Sequence, residues 1–164
     1  MNIPFIDLAA QQKGIKDKID TRIQAVLAHG QYIMGPEVTE LEEALCDFSG
    51  ADYCVTCSSG TDALLMAIMA MGLQAGEGVL LPSFTFAATA EVVALLGAIP
   101  VFCDIDAASF NIDINSIERT YIQEDTKNLN IVGIIAVDMF GVPANYEDIN
   151  TFAEKNDLWV IGDS

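Results

Sequence analysis

The sequence predicts an α/β fold: a mostly parallel sheet with helices on both faces. Three observations predict it. Short, near-continuous apolar runs (Val79-Leu80-Leu81, Val101-Phe102-Cys103, Ile131–Val137 and Trp159-Val160-Ile161) recur along the chain. Stretches with helical spacing separate them, and turn residues lie between strand and helix. Strands buried on both faces lose the polar alternation of a half-exposed sheet, so this pattern indicates parallel pairing under two helical layers.

The elements follow in order. Asp7 through Gly30 reads as one helix, with Ile15, Ile19, Ile23, Val26 and Leu27 on one face and Gly30 as its stop. Gln31–Pro36 reads as a loop. A second helix begins at Pro36, where Glu37 and Glu40 suit the positive end of the helix dipole. Its buried stripe is expected to be Val38, Leu41, Leu45 and Phe48, and Gly50 closes it. Tyr53–Cys57 reads as a strand, Ser58–Asp62 as a polar turn and Ala63–Met71 as a helix. Helices are further expected over Ala87–Leu96, Asn115–Ile122 and Tyr146–Lys155.

With 164 residues, 52% hydrophobic and 19% charged, the chain is globular in composition and long enough for one domain. The boundaries expected are N-terminal helices over 1–50 and an α/β portion over 51–164. No apolar run reaches the roughly 18 residues that a membrane span needs. Met1–Phe5 lacks the pattern of a signal peptide, so a cytoplasmic location is expected. The formal net charge of −17 disfavours nucleic acid and anionic membranes as partners. It also requires any phosphate site to be built from backbone N–H groups and a helix dipole. Cys54-x-x-Cys57 has the spacing of a metal or redox pair. The four cysteines come with a single histidine, His29, so buried structural thiols are the expectation.

Ligands of such sheets sit beyond the carboxyl ends of the strands. Three groups there can do chemistry. Ser59-Gly60-Thr61 opens a helix and can be a phosphate cradle or an ordinary N-cap. It is neither a P-loop nor a dinucleotide fingerprint, which counts against a Rossmann or flavodoxin-like binder. Phe84 and Phe86, after Val79-Leu80-Leu81, can face a bound ring or enter the core. Asp163, after Trp159–Gly162, can hold a pyridine nitrogen protonated or cap a helix.

In order and spacing these segments resemble the DegT/DnrJ/EryC1/StrS sugar aminotransferases. The resemblance rests on Phe5-Ile6-Asp7-Leu8, Gly30–Val38, Ser59–Leu64, Pro82–Ala90, Leu96–Val101 and Asp104-Ile105-Asp106, and it covers essentially the whole chain. It is nearest to enzymes that aminate a 3-keto UDP-N-acetyl sugar acid. The resemblance implies the front part of the large domain of a fold type I transferase dependent on pyridoxal 5'-phosphate (PLP). It implies that Gly60 and Thr61 hold the PLP phosphate, that Phe86 stacks on the ring, that Asp163 pairs with the pyridine nitrogen and that Tyr32 borders the sugar-nucleotide site. Partners implied are a nucleotide-sugar substrate, glutamate and a second subunit in a homodimer. Departures from the family pattern are Asp138, where a small polar residue or histidine is common, and Gly162 and Ser164 around Asp163. The Schiff-base lysine and the C-terminal domain are expected beyond Ser164. Lys13, Lys16, Lys18, Lys127 and Lys155 all read as solvated, so no catalytic residue is expected in this chain. The alternative reading is a non-catalytic half-domain that dimerises or binds a partner.

Overall fold

The computed structural model describes residues 5–123, 126 and 128–164. Lys127 lies outside the described residues, as does most of the Met1–Phe5 segment. The chain divides into two compact units, residues 1–56 and 57–164.

The N-terminal unit is helical. The helix expected over Asp7–Gly30 is two helices, α1 (Leu8–Lys13) and α2 (Lys16–His29). Gly14 and Ile15 separate them, and Ile15 leaves helical geometry at φ −123°, ψ 3°. A glycine inside a helix costs about 1 kcal/mol against alanine, which favours a break at this point. Asp7 caps α1 by accepting from the Ala10 N–H at 2.9 Å. The third helix, α3 (Pro36–Ser49), starts at proline and ends on left-handed Gly50, as the sequence indicates. Its expected stripe is not buried. Leu41, Leu45 and Phe48 are exposed, Phe48 at 90%, and Val38 is half-buried. Helical spacing reports an apolar face but not what covers it.

Tyr53–Cys57 forms no strand. The Thr56 N–H and hydroxyl both donate to Glu42 Oε1, at 2.8 and 2.9 Å. A β-rich run becomes a strand only where a neighbour completes the ladder, and here the donor that would enter a ladder goes to a side chain. The Glu42 carboxyl is thereby held below its ordinary range, chiefly by the Thr56 N–H.

The second unit contains the sheet. Four strands, β1 (Gly78–Pro82), β2 (Ile99–Cys103), β3 (Ile131–Val137) and β4 (Trp159–Asp163), pair in the order β2-β1-β3-β4, and every pairing is parallel. Four helices accompany them: α4 (Gly60–Ala70), α5 (Ala88–Leu95), α6 (Ile114–Tyr121) and α7 (Tyr146–Asn156). Alternate strand residues enter two cores. Val79, Leu81 and Ile135 pack with Leu64, Ile68, Val92 and Val93 of α4 and α5. Leu80, Val101 and Ile134 pack on the other face with Ile117, Ile149 and Ala153 of α6 and α7. The expected fold class is borne out.

Candidate functional site

From β1 the chain moves to β2 on one side, then returns past β1 to reach β3. The strand order therefore reverses between β1 and β3, and a crevice opens at their carboxyl ends. Ser83–Ala87 follows β1, Asp138 follows β3, and Asp163 ends β4, opposite Val137 in register.

Thr89 connects two of the candidate residues. Its N–H donates to the Phe86 carbonyl at 3.2 Å. Its hydroxyl, fully buried, donates to Asp163 Oδ2 at 3.4 Å and lies 3.2 Å from the Thr85 hydroxyl. If Thr89 donates to Asp163, Thr85 must donate to Thr89, which gives a chain of two hydroxyls ending on the carboxylate. Asp163 is half-buried, and Thr89 is the one side chain among the described residues that donates to it. Phe86 is 76% exposed, so its ring is free to meet a ligand.

Gly60 and Thr61 are the first residues of α4. Ser59 caps the helix by accepting from the Asp62 N–H at 3.1 Å. No acceptor among the described residues meets the N–H of Gly60 or Thr61, and the space a Gly60 Cβ would enter is open. These groups fit an anion on the dipole axis without a basic side chain. Asp62 stands in the same turn, with its carboxylate engaged by the Ser58 hydroxyl. The α4 helix packs against α5. No hydrogen bond joins Gly60 or Thr61 to Phe86 or Asp163.

Tyr32 belongs to the N-terminal unit and is 68% exposed. The loop that carries it is braced by His29. The Gln31 N–H donates to His29 Nδ1 at 3.0 Å, and His29 Nε2 lies 3.1 Å from Glu37 Oε1. Gly35 closes this loop where a Cβ would fall 2.5 Å from the Gln31 carbonyl oxygen.

The rim of the crevice includes residues that the sequence reading did not single out. Asn111, 4% exposed, donates to the Val142 and Pro143 carbonyls at 2.9 and 3.1 Å and accepts from the Met139 N–H at 2.9 Å. It staples the turn after β2 to the single 3₁₀ turn Met139–Gly141. Phe84, already a candidate from the sequence, meets Phe110 and Phe140 with ring centroids 5.9–6.3 Å apart. Phe110 and Phe140 both take left-handed backbone, at φ 63° and 57°.

The cysteines are not uniformly buried. Cys103 is buried, Cys46 and Cys54 are half-buried, and Cys57 is exposed, which corrects the expectation at that position. Cys57 stands just before α4, where its thiol donates to the Ser59 carbonyl at 3.2 Å. No cluster of metal-binding side chains occurs among the described residues. Lys155 is exposed in the last turn of α7, and Lys16 pairs with Asp20 at 2.5 Å. A cavity of about 590 Å³ between α6 and α7 is lined in part by Lys155 and holds none of Tyr32, Gly60, Thr61, Phe86 and Asp163.

Over residues 13–164 the sequence matches the DegT/DnrJ/EryC1/StrS aminotransferase family. The chain belongs to that family. Its curated relatives include the UDP-2-acetamido-2-deoxy-3-oxo-D-glucuronate aminotransferase of Pseudomonas aeruginosa, 52% identical over 99% of this chain and 44% of the relative. They also include the UDP-N-acetyl-3-dehydro-α-D-glucosamine 3-aminotransferase of Acidithiobacillus ferrooxidans, 39% identical over 98% of this chain and 42% of the relative. Among solved structures, a DegT/DnrJ/EryC1/StrS aminotransferase from Brucella abortus superposes with a TM-score of 0.93 at 43% identity, covering 98% of this chain and 43% of that one. NtdA of Bacillus subtilis, solved with the cofactor PMP, superposes with a TM-score of 0.87 at 29% identity, covering 99% of this chain and 36% of that one. The chain thus spans less than half the length of these members of the family. The sheet is the one that fold type I PLP-dependent aminotransferases share. No helix among the described residues is long and apolar enough to cross a membrane.

Proposed function

We propose that this chain supplies the cofactor-facing part of a PLP-dependent aminotransferase that converts a nucleotide-linked keto sugar into an amino sugar, with glutamate as the amino donor. The observation that carries the reading is Asp163, a half-buried carboxylate at the strand end beside the crevice. One of its oxygens is held by Thr89 and the other has no donor among the described residues. It is therefore placed to accept from a cationic ring N–H.

PLP, when bound, supplies the electron sink for the exchange of the amino group. The chain's own residues bind and orient. Gly60 and Thr61 hold the phosphate with backbone N–H groups, Phe86 offers a ring face, and Asp163 keeps the pyridine nitrogen protonated. Tyr32 borders the sugar-nucleotide. Residues 1–164 form part of the large domain. The lysine that binds PLP covalently lies outside them, as does a smaller C-terminal domain, and residues 1–164 alone are inactive. The complete protein works as a cytoplasmic homodimer.

The test is amination of a UDP-linked 3-keto sugar by the complete gene product with glutamate, read by mass spectrometry of the sugar. Asp163→Ala should abolish it. Borohydride treatment of residues 1–164 with PLP should leave no PLP on a lysine, and an adduct there would sink the assignment of the lysine elsewhere. The non-catalytic, dimerising half-domain is favoured by one observation, the exposed Leu41, Leu45 and Phe48 of α3. An inactive complete protein that still self-associates would support it.

A further inference from the structure

A second network stands at the ends of β3 and β4, centred on Asp138. Its Oδ1 accepts from the Ala144 N–H and the Tyr146 hydroxyl, both at 2.9 Å. Its Oδ2 accepts from the Ser164 hydroxyl at 2.6 Å. Its own N–H donates to the Asp163 carbonyl at 2.9 Å. Asp138 therefore grips residue 163 through the main chain and residue 164 through the side chain. Gly162 makes room for this arrangement, because a Cβ there would come within 2.7 Å of the Tyr146 hydroxyl oxygen. The Ser164 hydroxyl and the Asp163 carbonyl tie Asp138 to the end of β4, while Ala144 and Tyr146 hold its other carboxylate oxygen.

The last rung of a ladder is where a strand frays, and a carboxylate at such an end has two torsions of its own. Thr89 restrains only one Asp163 oxygen, over a long 3.4 Å contact. The backbone beneath the carboxylate sets the point from which those torsions start, and Asp138 holds that backbone.

We propose that Asp138 is a positioning residue for Asp163: the Tyr146–Asp138–Ser164 network sets the direction in which the Asp163 carboxylate meets its ligand. The proposal rests on the reading of Asp163 as the partner of the PLP ring nitrogen. Loss of Asp138 would leave Asp163 chemically intact but badly aimed. Tyr146 acts one step further out, by holding Asp138.

The test uses the complete gene product loaded with PLP isotope-labelled at the ring nitrogen, whose NMR resonance separates protonated from unprotonated rings. Asp163→Asn should give the unprotonated signal. Asp138→Ala should shift the resonance toward that signal and lower the pH at which the ring titrates, with near-ultraviolet circular dichroism still native. Asp138→Asn keeps an acceptor for Tyr146 and Ala144 and should fall between. Tyr146→Phe should give a smaller shift of the same sign. A folded, PLP-loaded Asp138→Ala protein with the parent resonance at every pH would overturn the proposal and leave Asp138 a structural residue only. Should that variant not fold, parent resonances in both Asp138→Asn and Tyr146→Phe overturn it equally. If Asp163→Asn itself keeps a protonated ring, the reading of Asp163 fails and takes the proposal with it.

Discussion

The indole of Trp159 lies where a side chain on Gly133 would be: a Cβ there would come within 2.1 Å of the ring. The two residues are register partners in β3 and β4. Gly133→Ala must push the ring aside within a packed layer, and overpacking of this kind costs about 1–3 kcal/mol. Trp159 is the sole tryptophan of the 164 residues, so its fluorescence in a urea titration reports the loss directly.

Thr89→Val removes the hydroxyl that donates to Asp163 while keeping the volume of a fully buried side chain. An unmade hydrogen bond to a charged group is worth about 1.5–3 kcal/mol. PLP affinity of the complete protein should fall roughly tenfold or more on that scale. Thr89→Ser should restore most of it, which a PLP fluorescence titration can check. Equal affinities for all three would exclude Thr89 from the site.

Asn111 makes three hydrogen bonds from a buried amide. Asn111→Ala leaves two carbonyls and one N–H to find new partners, a loss of about 1–3 kcal/mol for each group that stays buried and unpaired. The measurable result is a lower unfolding midpoint and faster hydrogen exchange at Met139.

Acid should weaken the end of β3. Burial pushes the Asp138 carboxyl up, but the Ser164, Ala144 and Tyr146 donors outweigh it and hold the carboxyl below the usual carboxylate range. The folded state therefore binds the proton less readily than the unfolded chain. Asp138 stabilises the fold above the unfolded carboxylate pKa, and this contribution is lost as pH falls through the lower folded value. Asp138→Asn should flatten that part of the curve of unfolding midpoint against pH.

Thiol reactivity should separate the cysteines. Burial pushes the Cys103 thiol up to about 11, so it stays protonated and covered at neutral pH. Cys57 is exposed and should label first with a thiol reagent, as peptide mapping would show. Rapid labelling of Cys103 in the folded protein would contradict its burial.

Strand ends were the legible part. Phe86 and Asp163 are readable as strand-end residues because an apolar run ends before each, and parallel sheets bind ligands there. Thr89 and Tyr146 were not legible as site residues. Each sits inside a helix, and its link to Asp163 or Asp138 exists only through tertiary distance. Asp138, Gly162 and Ser164 depart from the family pattern in the sequence, which carries no sign that they are linked. In the fold they belong to one network, since Asp138 bonds Ser164 and Gly162 gives Tyr146 its room. Tyr53–Cys57 misled because strand propensity cannot show that Thr56 donates to Glu42 instead. Gly14 was the readable warning against one long first helix. The stripe of α3 has the right spacing, but spacing carries no information about whether a face is covered.

The Asn111 staple has a practical consequence for anyone redesigning this protein. The turns that present Phe110 and Phe140 are wired to a single amide, so they cannot be exchanged one at a time. The partners of that amide are main-chain groups, so a library that changes the length or backbone path of the loop after β3 while keeping the loop after β2 breaks the staple. Grafting the two turns together with Asn111, as a single cassette, is the move this architecture permits.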